Sequence, residues 1–125
     1  MNVERELLRA RDIKQAILNI RKVLSGISYE QMRNDILIRA GFERFVEIIS
    51  EASRKVPPEW REMYGHDIAW HKILAIGNIL RHVYRDVDHM ILWEIYTDHL
   101  DPLEAAIDAM IAAHGPIPRP PLRSP

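Results

Sequence analysis

Ile38-Arg39-Ala40-Gly41-Phe42-Glu43-Arg44-Phe45-Val46-Glu47-Ile48-Ile49-Ser50-Glu51-Ala52-Ser53-Arg54-Lys55-Val56 carries its apolar residues at a helical period. Ile38, Phe42, Phe45, Ile49, Ala52 and Val56 succeed one another at alternating steps of four and three, with charges between them. Such spacing gives an amphipathic helix whose seam suits packing along a second helix. Gly41 interrupts the pattern and marks either a close contact or a slight bend, at about 1 kcal/mol relative to alanine. Upstream, Ser28 reads as the N-cap of this helix and Gln31 as its capping-box partner, so the expected span begins near Ser28. Downstream, Pro57-Pro58 ends it, because the residue before a proline is pushed out of helical geometry.

Farther out the same period recurs. Ile13, Ile17, Ile20 and Leu24 predict a first helix that stops near Ser25-Gly26, giving two long antiparallel helices. Residues 57 to 67 read as a connection with one helical turn over 59–64, and Asp67 as the cap of the next helix. That third helix is expected from about Ile68 to Val83, burying Trp70, Ile73, Leu74 and Leu80. A fourth is expected from about Val87 to Thr97, offering Val87, Ile91, Trp93 and Ile95, with Asp86 or Asp88 capping its amino end. Asp101-Pro102 predicts a cap with proline at the first helical position, and a short fifth helix over 103–113. The fold class is all-α, an up-and-down bundle of four to five helices over residues 1–114. Residues 115–125 hold five of the eight prolines and read as a disordered or polyproline-like tail.

Composition narrows the functional classes. At 125 residues the chain is one domain, of a size at which helical proteins often complete their core by dimerising. A net charge of −1 argues against broad phosphate-backbone binding, so any nucleic-acid contact must be local. Zero cysteines exclude disulfides and thiolate metal sites, and fit a reducing cytoplasm. No apolar run approaches the roughly 18 residues of a membrane span, and the amino terminus has no signal-peptide apolar region. No HExxH motif, carboxylate quartet or cysteine set is present, so neither a metal nor a cofactor is expected.

The chemistry-bearing residues concentrate in Gly77-Asn78-Ile79-Leu80-Arg81-His82-Val83-Tyr84-Arg85-Asp86-Val87-Asp88, within a basic patch of His71, Lys72, Arg81, His82, Arg85 and His89. Asn78 and His82 stand four apart on one helix face. This stretch, flanked by Trp70-His71-Lys72-Ile73 and Ile91-Leu92-Trp93-Glu94-Ile95, resembles the signature of the HepT-like branch of the HEPN superfamily. The family pattern is arginine, asparagine, three variable residues, histidine, any residue, tyrosine. Asn78, His82 and Tyr84 match it, and Gly77 stands where the arginine belongs. Glu47-Ile48-Ile49-Ser50-Glu51-Ala52 is similar to the family's second-helix ending, with Ser50 in place of the glycine of its common Gly-Glu-Ala run. The resemblance extends from about Leu7 to Leu103.

The resemblance implies the toxin of a type VII-like toxin–antitoxin pair: a metal-independent endoribonuclease cutting RNA in a homodimer cleft, in the cytoplasm. On that reading His82 acts as general base on a ribose 2′-hydroxyl or as acid to the leaving oxygen. Asn78 orients the imidazole, and Arg81 and Arg85 are the candidates for RNA phosphate contacts. Losing one preorganised donor such as the arginine at position 77 costs on the order of 3 kcal/mol of transition-state stabilisation. Tyr84 resembles the tyrosine that a nucleotidyltransferase antitoxin adenylylates, and negative charge placed there would repel RNA. Two other readings stay open: a catalytically inactive homologue serving as a helical protein-binding module, and a helical adaptor whose charged stretch is only a solvated face.

Overall fold

The computed structural model describes residues 3–82 and 88–115, with His82 described by its backbone alone. Every regular element among these residues is helical: α1 (Val3–Leu24), α2 (Tyr29–Asn34), α3 (Ile36–Lys55), α4 (Pro58–Gly65), α5 (Trp70–His82), α6 (His89–Glu94), a π-helical segment (Ile95–His99) and α7 (Leu100–His114). The all-α bundle expected from the apolar period is therefore the observed architecture. Val83 to Val87, with Tyr84, Arg85 and Asp86, lie outside the described residues, as does the tail beyond Gly115.

α1 lies at the centre, packed along α3 on one side and α7 on the other, and α3 in turn carries α5. The α1 positions Ile13, Ile17, Ile20 and Leu24 are all buried, and across from them so are Phe42, Ile49, Ala52 and Val56. Each fully buried aliphatic or aromatic side chain contributes roughly 1.5–3 kcal/mol, so this seam dominates the stabilisation of the bundle. Trp93 of α6 closes one end, edge-on to Phe42 at a centroid distance of 6.5 Å and to Tyr29 at 5.9 Å. Gly26 closes the turn after α1 at φ 69°, a left-handed conformation that glycine adopts without a side-chain penalty.

Several local expectations are corrected. The second long helix is two helices, because Asp35 sits in extended geometry and its carboxylate accepts from the Leu37 and Ile38 amides at 3.0 and 3.2 Å. A side chain that captures backbone amides in this way competes with helix continuation. The Ser28–Gln31 capping box forms as expected, but it opens only the six-residue α2. Gly41 makes no close contact, since a Cβ there would meet nothing within 4 Å. The connection after Pro57 is a full helix, α4, that buries Trp60. Trp70 and Leu74 are half-buried, with the Trp70 indole N–H donating to the Gly65 carbonyl at 2.8 Å. Asp67 does not cap α5, whose first turn opens on the Ala69 carbonyl.

Asp101-Pro102 is no break either. The chain runs helically from His89 to His114, and Asp88 caps the start by accepting from the Met90 amide. A regular α-helix would ask the Pro102 nitrogen to donate to the Asp98 carbonyl, which proline cannot do, and its ring crowds that carbonyl. The π-helical turn at Ile95–His99 lies just ahead of it, which is where such a mismatch is absorbed. Leu92, not Ile91, faces the core, and Ile91 is 51% exposed. None of the described helices is long and apolar enough to cross a membrane.

Candidate functional site

The signature helix α5 is held against α3 at one unusually tight point. A Cβ added to Gly77 would fall 2.1 Å from Ser50 Oγ and 2.5 Å from Ser50 Cβ, far inside van der Waals contact. Glycine is therefore required at 77 as long as serine stands at 50. Ser50 Oγ donates to the Leu74 carbonyl at 3.1 Å, and Arg54 Nη2 reaches the same oxygen at 3.3 Å. These bonds fix the rotation of α5 about its axis and so decide which of its residues face outward.

One position on, Asn78 is exposed, and a turn later Arg81 reaches back toward α3. Arg81 Nη1 bonds Glu51 Oε2 at 2.7 Å, while its Nη2 donates to Asn78 Oδ1 at 2.6 Å. Lys55 flanks Glu51 at 3.7 Å. The Arg81 hydrogen bond holds the Glu51 carboxyl below the usual carboxylate range, with burial opposing. Beside this network lies a cavity of about 200 Å3 bordered by Arg9, Arg44, Glu47, Glu51, Lys55 and Arg81. Arg81, expected as a free phosphate contact, is thus already engaged within the chain. His82 ends α5 one residue later, and its backbone places it four residues from Asn78 on that helix.

The opposite side of α5 is apolar. Ile76, Ile79, Ile91 and Ile95 line a groove of about 390 Å3 between α5 and the α6 run, with Lys72 and Glu94 at its rims. Ile79 and Ile91 are 40% and 51% exposed, which is high for aliphatic side chains lining one groove beside a candidate site. His89 of the basic patch stands near Glu43 of α3. Burial raises the Glu43 carboxyl above its ordinary value, with Arg39 and His89 opposing.

Residues 13–110 match the family model described as ribonuclease HepT-like, a span that includes all of α3 and α5. This chain belongs to the HepT-like ribonuclease family. A protein of Methanocaldococcus jannaschii named "Putative RNase" is 28% identical over 97 residues, covering 78% of this chain and 88% of that one. A "Putative RNase" of Caldanaerobacter subterraneus is 31% identical over 88 residues, 70% of this chain and 78% of that one. A "Probable ribonuclease HepT" of Thermococcus cleftensis is 26% identical over 99 residues, 79% of this chain and 89% of that one. No solved structure matches the chain.

Against the HepT-like pattern, the two departures noted in the sequence, Ser50 for glycine and Gly77 for arginine, are the two residues that touch. Glu51 was missed as a site residue. Its signal lay in the Ser50-Glu51-Ala52 run, one residue from the contact point, but only the folded chain shows it reaching Arg81. Tyr84 and Arg85 lie outside the described residues, and of His82 only the backbone is described.

Proposed function

We propose that this HepT-like chain is a metal-independent endoribonuclease, the toxin of a type VII-like toxin–antitoxin pair acting in the cytoplasm. The observation that carries the reading is the family match over residues 13–110; Asn78 and His82, which resemble the signature residues, lie on the last two turns of α5. In the reaction, the 2′-hydroxyl of a ribose attacks the adjacent phosphorus as its proton is taken up, and the 5′-oxygen leaves with a proton. The products are a 2′,3′-cyclic phosphate and a free 5′-hydroxyl. His82 supplies one of these proton transfers, since an imidazole titrates near neutral pH.

The active form is a homodimer. Exposed Ile79, Met90 and Ile91 beside the apolar α5–α6 groove support this, because scattered aliphatics are ordinary on a surface but a contiguous lined groove is an association site. A nucleotidyltransferase antitoxin silences the toxin by adenylylating Tyr84, placing negative charge two residues from His82. The test is cleavage of a labelled structured RNA in EDTA by this chain and by His82→Ala; cutting that survives the substitution rejects His82 as the proton-transfer group.

The runner-up is an inactive homologue that keeps the dimer and the antitoxin contact. Gly77 packed on Ser50 favours it, since no side chain at 77 can supply the missing positive charge.

A further inference from the structure

The Glu51–Arg81–Asn78 chain determines which end of the Asn78 carboxamide is free for chemistry. A guanidinium has donors only, so the atom that meets Arg81 Nη2 at 2.6 Å must be the amide oxygen and not the nitrogen. Amide orientation is often ambiguous, but here the partner's chemistry decides it. The nitrogen, with two N–H groups, is thereby the end turned away from Arg81. Arg81 is held in this role from the other side by Glu51 Oε2 at 2.7 Å, on a helix fixed in rotation by Ser50 and Arg54.

We propose that Glu51 is a positioning residue which, through Arg81, locks Asn78 with its Nδ2 outward as a hydrogen-bond donor to a nonbridging oxygen of the RNA phosphate. This deepens the ribonuclease reading and rests on it. Asn78 then does not orient the His82 imidazole; it supplies part of the charge stabilisation that Gly77 cannot. A neutral donor preset toward a developing phosphorane charge is a weaker substitute for a guanidinium, though free of reorganisation during the reaction. Glu51 is ionised throughout the neutral range, and the Arg81 bond lowers its pKa further, so both partners of the clamp are charged there.

Asn78→Asp separates this role from a structural one, because aspartate still offers an oxygen to Arg81 but has no donor for phosphate. The experiment measures RNA cleavage by the full chain, Asn78→Asp, Glu51→Ala and the double variant. Alongside it, the Asn78 side-chain amide signals are followed by NMR while a 2′-O-methyl oligoribonucleotide, which lacks the attacking hydroxyl, is added. Expected for Asn78→Asp are an unchanged melting temperature, a kcat down about a hundredfold and a raised KM, since the new carboxylate faces the phosphate. Glu51→Ala lowers kcat in the native chain and adds little in the Asn78→Asp background, the signature of one shared path. The Asn78 Nδ2 signals shift with the oligonucleotide.

Full activity of Asn78→Asp overturns the inference and leaves the ribonuclease reading standing, as do Asn78 Nδ2 signals that stay still while α5 backbone amides shift. Multiplying losses in the double variant overturn the part assigned to Glu51. A chain that does not cut but whose Asn78 Nδ2 signals shift supports the donor role and rejects cleavage alone. Neither cleavage nor any shift rejects both.

Discussion

Gly77 of the signature helix packs directly on Ser50 of α3, where a Cβ on residue 77 would fall 2.1 Å from Ser50 Oγ. Restoring the family arginine by a single substitution would therefore drive a long side chain into α3. Overpacking of this kind typically costs about 1–3 kcal/mol, and here the neighbour is anchored through its bond to the Leu74 carbonyl. Gly77→Arg is expected to lower the denaturant midpoint. Removing the Ser50 side chain leaves Ser50 Cα, at 3.9 Å, as the nearest of the atoms facing position 77. Ser50→Gly combined with Gly77→Arg should thus recover most of the loss, apart from about 1 kcal/mol for a glycine inside α3. Equal midpoints for the single and double variants would show that the contact does not restrict residue 77.

Two glutamates should respond to the same substitution with opposite signs. Glu104 is bonded by Lys14 at 2.9 Å and Arg21 at 2.8 Å, tying α7 to α1, and the Lys14 bond is the main cause of its lowered pKa. A carboxyl whose folded-state pKa is lowered adds stability above its unfolded value and loses it as pH falls through the folded one. Glu104→Gln should lower the melting temperature at pH 7, with the difference shrinking below about pH 4.5. Glu43 is raised by burial, so its ionised form opposes folding at pH 7. Glu43→Gln should raise the melting temperature there. Two shifts of the same sign at pH 7 would contradict this assignment.

Pro102 sits inside α7, directly after the π-helical turn. Proline in a helix interior costs about 3 kcal/mol or more, part of which the widened turn relieves. Pro102→Ala restores the missing N–H and should raise the melting temperature. A lower one would mean that the π-helical geometry is set by packing around Ile95 and Leu100 and not by the proline.

The proposed homodimer would bury the groove between α5 and the α6 run. Ile79→Asp and Ile91→Asp place a charge on it without touching the buried core, since both residues are substantially exposed. Each should halve the mass measured by sedimentation while leaving the helical circular dichroism unchanged. A native chain that sediments as a monomer would remove the groove's proposed role.

How far the sequence was legible depends on the physical origin of each signal. The seams of α1 and α3 were readable because burial imposes a strict period, and the Ser28–Gln31 box because it is a local exchange between two side chains and two amides. The break at Asp35 was missed because neither proline nor glycine stands between the Ser28 cap and the seam that starts at Ile38; only the carboxylate's capture of two amides ends the helix. Asp101-Pro102 misled in the other direction, for the same dipeptide that opens a helix can be accommodated inside one when a π-helical turn precedes it. The site was half legible. Asn78 and His82 stand out through their resemblance to the HepT-like signature, but the Glu51–Arg81–Asn78 chain joins residues up to thirty apart and depends on how α5 is rotated. Equally, Ser50 and Gly77 read as two unrelated departures until the helices are brought together.

The decisive measurement is cleavage of a labelled structured RNA in EDTA by three folded proteins: this chain, His82→Ala, and Ser50→Gly with Gly77→Arg. If the chain is a His82-dependent ribonuclease, the native chain cuts slowly, His82→Ala not at all, and the double variant, in which the arginine has room, about a hundredfold faster. Undiminished cutting by His82→Ala, or no cutting by either the native chain or the double variant, would contradict that reading.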